Sequence, residues 1–353
     1  MSIVKLARPE IQELTPYGAA AQVKNTVRLN ANEVPWTRNG DTFRRPLNRY
    51  PEVRPARLGV ALAEHYGCAP DNLLVTRGTS EGIDLLIRAF CRAGIDSVAT
   101  PAPTFSMYRH YAKVQGARLI EIGTTRDNDF AVDVDALLAA CDDSTRLVFL
   151  CSPNNPTGNL IPRDDLIRIL EARRDRSAVV VDEAYIEFSD AASTVDLLDQ
   201  FDNLIVLRTL SKALACAGAR CGSVIGSVEV IDMLAAVQAP YALATPVVES
   251  VENALQSEGF QEADKYALEI VLERDKLMAE LRNMSFVQRV WPSAANFFLI
   301  EVQDVAGLLQ HCSERNILLR YFGGDLADCI RITVGSREEN KRLLMAFNEK
   351  SGN

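Results

Sequence analysis

From residue 72 to residue 208 the chain alternates short apolar runs with segments of helical period, and this alternation constrains the fold more than any other feature. The runs are NLLVTR (72–77), DSVAT (96–100), ARLIEI (117–122), TRLVFL (145–150), SAVVVD (177–182) and NLIVLR (203–208). Between the first two, EGIDLLIRAF places Ile83, Leu86, Ile87 and Phe90 at i, i+3, i+4 and i+7, so one face of that helix is apolar. Strands separated by helices predict βαβ units, hence a large α/β domain with a mostly parallel sheet sandwiched by helices.

The pattern changes near Pro246. A long helical stretch (about 247–282) leads to ANFFLIEV, NILLR and CIRITV, which predict a smaller α+β domain. The first 48 residues are irregular and rich in Asn, Pro and Arg, which suits an arm packing on the small domain or on a second subunit. The expected division is therefore an arm with part of the small domain (1–48), a large domain (49–246) and a C-terminal small domain (247–353). A chain of 353 residues, 48% of them hydrophobic, can bury cores for both domains.

The formal net charge of −9 argues against nucleic acid or an anionic membrane as a main partner. Any anionic ligand must then be held by local arginines. The eight cysteines form no CxxC pair and mostly sit among apolar or small residues, so they read as reduced thiols rather than a disulfide or zinc framework. Three histidines make a histidine-based metal site an unpromising reading, and no metal is expected. No signal-like apolar core and no run of 18 apolar residues is present, which predicts a cytoplasmic protein.

In parallel sheets, ligands sit beyond the carboxyl ends of the strands. Here GTSEG follows 72–77, PAPTFSMY follows 96–100, CSPNNPTG follows 145–150, DEAY closes 177–182 and TLSK follows 203–208. Right-handed crossovers bring all five to one edge. Each is weak alone; together they form a site.

GTSEG offers a glycine-lined approach and free N–H groups of a helix N-terminus to a phosphate, though it equally suits an ordinary helix start. It is neither a Walker A loop nor GxGxxG, which disfavours a nucleotide-binding dehydrogenase. Asp182 at the tip of a buried strand needs a partner: a helix cap, a structural ion pair, or the cationic ring nitrogen of pyridoxal phosphate. Tyr185 can donate from the same loop. Asn155 sits in a tight Pro–Gly turn, either a plain turn or a rigid amide near a phenolate oxygen. Tyr108 can present its ring to a planar cofactor or fill a core. Lys212 follows its strand as Asp182 ends the preceding one. Desolvation and nearby cations would lower its pKa and make it an aldehyde-capturing amine rather than a solvated loop lysine. Arg220, with the hydroxyls of Thr209 and Ser211, can grip a phosphate dianion.

At this point the chain resembles the fold type I pyridoxal-phosphate aminotransferases, and among them the histidinol-phosphate aminotransferase branch. The resemblance runs nearly end to end through LTPYG, LNANEVPW, NRYPE, RGTSEGIDLLIRAF, CSPNNPTG, DEAYIEF, RTLSKALACAGARCG, APYALATP and IRITVGSREEN. It implies that Lys212 binds the cofactor aldehyde, Asp182 pairs with the ring nitrogen, and Tyr185 and Asn155 contact the phenolic oxygen. It implies further that Tyr108 stacks on the ring, and that Thr79, Ser80, Ser211 and Arg220 hold the phosphate. Tyr50 would reach that phosphate from the neighbouring subunit of a homodimer, while Tyr17, Asn32, Arg320 and Arg331 would face the substrate.

The implied reaction passes the amino group of L-histidinol phosphate to 2-oxoglutarate. Arg331 would serve the phosphate ester of one substrate and the carboxylate of the other. As Cys329, Arg331 and Thr333 share a strand face, its guanidinium should point where two small side chains leave room. An aromatic amino-acid aminotransferase, or a phosphothreonine-type decarboxylase, is the nearest alternative. A binding protein using the cofactor as a sensor stands against the complete Lys–Asp–Tyr–Asn set.

Overall fold

The structure is a computed structural model, and it describes residues 2–23, 26–256 and 258–352. Seven strands form the main sheet: β1 (Leu73–Thr76), β2 (Ser97–Ala102), β3 (Arg118–Gly123), β4 (Thr145–Cys151), β5 (Ala178–Asp182), β6 (Leu204–Thr209) and β7 (Gly222–Ile225). Their order is β1-β7-β6-β5-β4-β2-β3, parallel except for β7, which runs antiparallel to both β1 and β6. The mostly parallel sheet expected from the alternation is present, and each of the six expected runs forms a strand within a residue or two. β7 has no counterpart among those runs. Its four residues, GSVI, end a run of small side chains and are too short to show a period.

β4, β5 and β6 read as continuous apolar runs because both faces of the sheet are covered. Val179, Val181 and Val206 join one core with Leu58, Leu62 and Leu166. Val180, Ile205 and Leu207 join the other with Ile83, Leu86 and Phe149. Each such side chain taken fully from water contributes roughly 1.5–3 kcal/mol. The helix Thr79–Phe90 buries Ile83, Leu86, Ile87 and Phe90 as its spacing predicts.

The helical stretch at 247–282 is two helices, Thr245–Ala254 and Gly259–Leu281. The break falls where Gly259 comes so close to the chain that a side chain there would meet the Ala254 carbonyl oxygen. The second sheet is antiparallel, in the order β10-β11-β9-β8, from β8 (Val287–Val290), β9 (Phe297–Val302), β10 (Arg320–Gly323) and β11 (Leu326–Thr333). β8 goes beyond the sequence pattern, and the strand expected at NILLR begins only at its last residue, Arg320. One face of this sheet packs on Gly259–Leu281 and Arg337–Ser351 through Leu277, Leu281, Ile300, Ile330 and Phe347. A seam of Tyr185, Phe188, Ala213, Ala267 and Phe297 joins the two sheets, and so carries the end of β11 to the carboxyl edge of the main sheet.

The described residues of 14–50 form no helix or strand. They leave Tyr17, Val23, Val27, Leu29, Val34, Trp36 and Tyr50 exposed. Among the described residues no helix is long and apolar enough to cross a membrane.

Candidate active site

β1, β4, β5 and β6 point the same way, so their carboxyl ends meet. There a cavity of about 120 Å³ is lined by Thr79, Ser80, Phe105, Cys151, Asn155, Asp182, Ala184, Tyr185, Thr209, Ser211, Lys212 and Arg220. A larger cleft of about 410 Å³ lies elsewhere, between the helix Ala56–Tyr66, β1 and the helix Val228–Val237. Size does not find the chemistry here; the strand ends do.

At one end of the cavity, Gly78 precedes Thr79–Phe90 with φ +74°, and no side chain caps the first turn. Glu81 N–H turns back to the Gly78 carbonyl at 3.2 Å, which leaves the N–H groups of Thr79 and Ser80 for an anion. A Cβ on Gly78 would lie 2.9 Å from Arg220 Nη2, so the glycine both adopts the left-handed backbone and makes room for the guanidinium. Gly222, at the start of β7, passes equally close: a Cβ there would stand 3.0 Å from the Gly78 Cα. Arg220 donates to Ser211 Oγ at 3.3 Å and to the Ala217 carbonyl at 3.1 Å. Ser211 N–H is turned to Thr209 Oγ1 at 3.2 Å. Helix N-terminus, guanidinium and hydroxyls together make a cradle for a dianion.

At the other end, Asp182 is 2% exposed and its oxygens accept only from neutral donors among the described residues. Tyr108 O–H donates to Oδ2 at 2.8 Å and Ala184 N–H to Oδ1 at 3.2 Å. Burial pushes this carboxyl up to about 6, against the pull of those two hydrogen bonds. A buried carboxylate at a cavity wall without a bonded cation is suited to a cationic N–H supplied by a ligand. Lys212 has its pKa lowered, first by desolvation, then by the positive charges of Arg331 and Arg220, with Asp182 opposing. Its Nζ lies 5.4 Å from the centre of the Tyr185 ring. Burial raises the Tyr185 phenol.

Arg331 stands over Asn155, donating from Nη1 to the amide oxygen, and its guanidinium lies 4.9 Å from the Phe297 ring and 5.4 Å from Phe322. The small-neighbour expectation for Arg331 does not hold. Cys329 is fully buried against Phe130, Trp291 and Leu299, and Thr333 is exposed; aromatic walls, not small side chains, shape the space. Arg320 on β10 is the register partner of Arg331. Like charges directly opposite on adjacent strands destabilise a sheet unless an anion lies between them. Among the described residues neither arginine has a carboxylate partner, and the buried Arg331 Nε has no acceptor.

Most of the expected residues meet at this cavity: Thr79, Ser80, Asn155, Asp182, Tyr185, Thr209, Ser211, Lys212 and Arg220. Tyr108 does not line it. Its ring is fully buried and stacked on Phe149 at 4.7 Å, so it cannot also cover a ligand in the cavity. Phe105, three residues earlier, lines the wall instead. The sequence held a signal for this: Phe105 lies in the loop after β2, whereas Tyr108 lies inside the helix Met107–Gln115, whose inner face meets the core. Cys151 and Ala184 also line the cavity; they lie in the strand-end motifs CSPNNPTG and DEAY but are not among the expected contacts. Tyr17, Asn32 and Tyr50 do not reach the cavity of their own chain; Tyr50 stacks on Tyr241 at 4.7 Å.

A mostly parallel sheet with a lysine, a buried aspartate and an anion cradle at its carboxyl edge suits an enzyme of the pyridoxal-phosphate class. Residues 25–347 match the family described as aminotransferase class I and II. The chain is 42% identical to the histidinol-phosphate aminotransferase of Vibrio campbellii over 342 residues, covering 96% of this chain and 97% of that one. It is 41% identical to that of Xylella fastidiosa, covering 99% and 97%. The Sinorhizobium meliloti histidinol-phosphate aminotransferase, solved in complex with pyridoxal-5'-phosphate, superposes with a TM-score of 0.77 at 25% identity, over 87% of this chain and 83% of that one. The chain belongs to the class I and II aminotransferases and, within them, to the histidinol-phosphate aminotransferase family.

Proposed function

We propose that the chain transfers the amino group of L-histidinol phosphate to 2-oxoglutarate, giving imidazole acetol phosphate and glutamate, as a cytoplasmic step of histidine biosynthesis. The observation that carries the substrate class is the Arg320–Arg331 pair, opposed in register beside the cavity without a carboxylate partner among the described residues. Two facing guanidinium forks suit a phosphate monoester and, in the second half-reaction, a carboxylate.

The residues present fit pyridoxal phosphate. Thr79, Ser80, Ser211 and Arg220, with Thr209 behind them, would hold its phosphate, and Asp182 its ring nitrogen. Asn155 and Tyr185 would hold its phenolic oxygen, and Phe105 would lie against the ring. When bound, the cofactor supplies an aldehyde that condenses with amines and a cationic ring that accepts the electron pair left by a departing proton. Lys212 would have two tasks: its amine would hold the cofactor aldehyde at rest, and once free it would act as the general base that carries the proton taken from the donor Cα. Its lowered pKa leaves a larger neutral fraction for the first task. Asp182 keeps the ring nitrogen protonated, and Arg331 with Arg320 orients the donor through its anionic end.

The site is completed, in this reading, by a second copy of the chain. The exposed apolar side chains of 14–50 and the half-exposed Tyr50 support a homodimer in which Tyr50 reaches the partner's phosphate cradle, with Tyr17 and Asn32 near the substrate. The division into an arm (1–48), a large domain (49–246) and a small domain (247–353) belongs to the same reading.

The deciding experiment loads purified protein with pyridoxal phosphate and compares histidinol phosphate with phenylalanine as donor in steady state. A borohydride-sensitive visible band and a kcat/KM at least about tenfold higher for histidinol phosphate are expected. A preference for phenylalanine would move the protein to the aromatic aminotransferases.

A further inference from the structure

Tyr108 has no place in the roles above, yet it makes one of the two hydrogen bonds to the Asp182 carboxylate among the described residues. That bond bears on catalysis only through Asp182, whose role as partner of the ring nitrogen is part of the proposed function. The Tyr108 ring is clamped: it stacks on Phe149 with 14° between the planes and meets the edge of Phe105 at 5.7 Å. A buried phenol is costly unless its hydroxyl is bonded, and here the acceptor is a single carboxylate oxygen. Packing fixes the hydroxyl; the hydroxyl fixes the carboxylate. The same ring braces Phe105, which lines the cavity.

We propose that Tyr108 is a positioning residue for transamination: its O–H aims Asp182 into the cavity and keeps that carboxyl ionised, while its ring supports Phe105. A phenol can donate to the carboxylate, and doing so favours the charged form.

The groups around Asp182 leave this task mainly to Tyr108. Burial opposes ionisation most strongly; Tyr108 is the largest influence favouring it, followed by the Ala184 N–H. Glu183, beside it in sequence, opposes ionisation, and Lys212 beyond β6 favours it. The Cys151 thiol on β4 and the Tyr185 phenol also face the carboxylate, and burial raises both, so they stay neutral.

Tyr108→Phe keeps the stacked ring and removes only the O–H. Four proteins are needed: wild type, Tyr108→Phe, Asp182→Asn and the double variant. Asp182 is titrated in cofactor-free protein by carbon-13 NMR of labelled aspartate, with Asp182→Asn identifying its signal. Pyridoxal phosphate dissociation constants and half-reaction rates are then measured across pH. In Tyr108→Phe, Asp182 should titrate about one unit higher, and cofactor binding should weaken about tenfold, the low end of what a lost hydrogen bond to a charged group costs. The loss should grow as pH falls, the acid limb of the rate profile should move up alike, and Tyr→Phe should change nothing further in the Asp182→Asn background. An unmoved titration, or a loss of equal size in both backgrounds, would make Tyr108 a packing residue and overturn the proposal. An Asp182→Asn half-reaction within a few-fold of wild type would instead overturn the role of Asp182, and the catalytic part of the proposal with it. The cofactor-free titration separates the two failures.

Discussion

The floor and the mouth of the cleft are built on opposite principles. At the floor, the polar groups are held by the chain itself: Asp182 between Tyr108 and Ala184, Arg220 against Ser211 and Ala217, Gly78 against Gly222. At the mouth, Arg320 and Arg331 are opposed in register without a carboxylate partner among the described residues, and residues 14–50, whose Tyr17, Asn32 and Tyr50 do not reach this chain's cavity, leave apolar side chains in water. The floor is preorganised for something that stays; in the proposed function the mouth is completed by substrate and a second subunit. Damage at the floor should therefore lower the rate whatever the donor, whereas damage at the mouth should depend on substrate or on protein concentration.

Lys212→Ala sets the upper limit of the floor effects. Loss of the general base alone accounts for roughly 10²–10⁴-fold in rate, and loss of the cofactor attachment should take turnover below detection along with the visible band. Single-turnover absorbance with each donor checks both. An active variant with an unchanged spectrum would place the chemistry elsewhere.

Asp182→Asn should slow proton abstraction by about 10²–10³-fold with either substrate. It also carries a stability signature. Because the folded carboxyl titrates near 6, above its unfolded value, the folded cofactor-free protein binds the extra proton first. Wild type should therefore gain stability relative to the variant as pH falls through 6 towards 4, by about 2–3 kcal/mol at full protonation. Thermal melts of both cofactor-free proteins between about pH 4.5 and 8 read this out; a constant difference across that range would show that Asp182 is not held up by burial.

Arg331→Lys tests the mouth. Replacing the fork by a point charge should cost about 10- to 150-fold in affinity for each substrate, with the rate at saturation changed much less. Half-reactions run separately with histidinol phosphate and with 2-oxoglutarate distinguish a shared anchor from a divided one. A defect with one substrate only would assign the other anion to Arg320.

The smallest effect is expected in the arm. Glu33 gathers Arg28 at 2.7 Å, Arg49 at 2.8 Å and the Tyr50 N–H at 2.8 Å, tying the loop that bears Asn32 to the loop that bears Tyr50. Burial opposes its ionisation, but these partners outweigh it and hold its pKa below the usual carboxylate value, so the tie persists above that value and loosens in acid. Glu33→Gln should cost a few-fold in specific activity, more at low protein concentration than at high, with the monomer–dimer equilibrium followed by ultracentrifugation. A fully active monomer in either protein would remove the arm from the site.

The same contrast explains what the sequence makes legible. Floor residues sit at strand ends, where an apolar run followed by a polar motif marks both the strand and the site; Asp182 and Lys212 are legible for that reason. Tyr108 is easily taken for a ring-stacking residue because two aromatics three residues apart look equivalent until the helix start at Met107 decides which one faces the core. The Arg320–Arg331 pairing is hidden, because it depends on how β10 and β11 meet across Gly323 and Gly324, with a register shift between Tyr321 and Gly323. β7 leaves no period to detect, and residues 14–50 carry no periodic pattern from which to place their side chains.

The strand order has a consequence for how the molecule comes into being. β1, the first strand made, touches only β7 within the sheet, and Leu73 must wait for Ile225 before it can pair. All the chain that supplies β2 to β6 is synthesised in between. During that interval β1 is an apolar edge without a neighbour, a hazard for pairing with another chain. Seating it also presses Gly222 against Gly78, so the stroke that closes the sheet finishes the anion cradle. Cofactor capture would then mark nascent chains in which the sheet has closed.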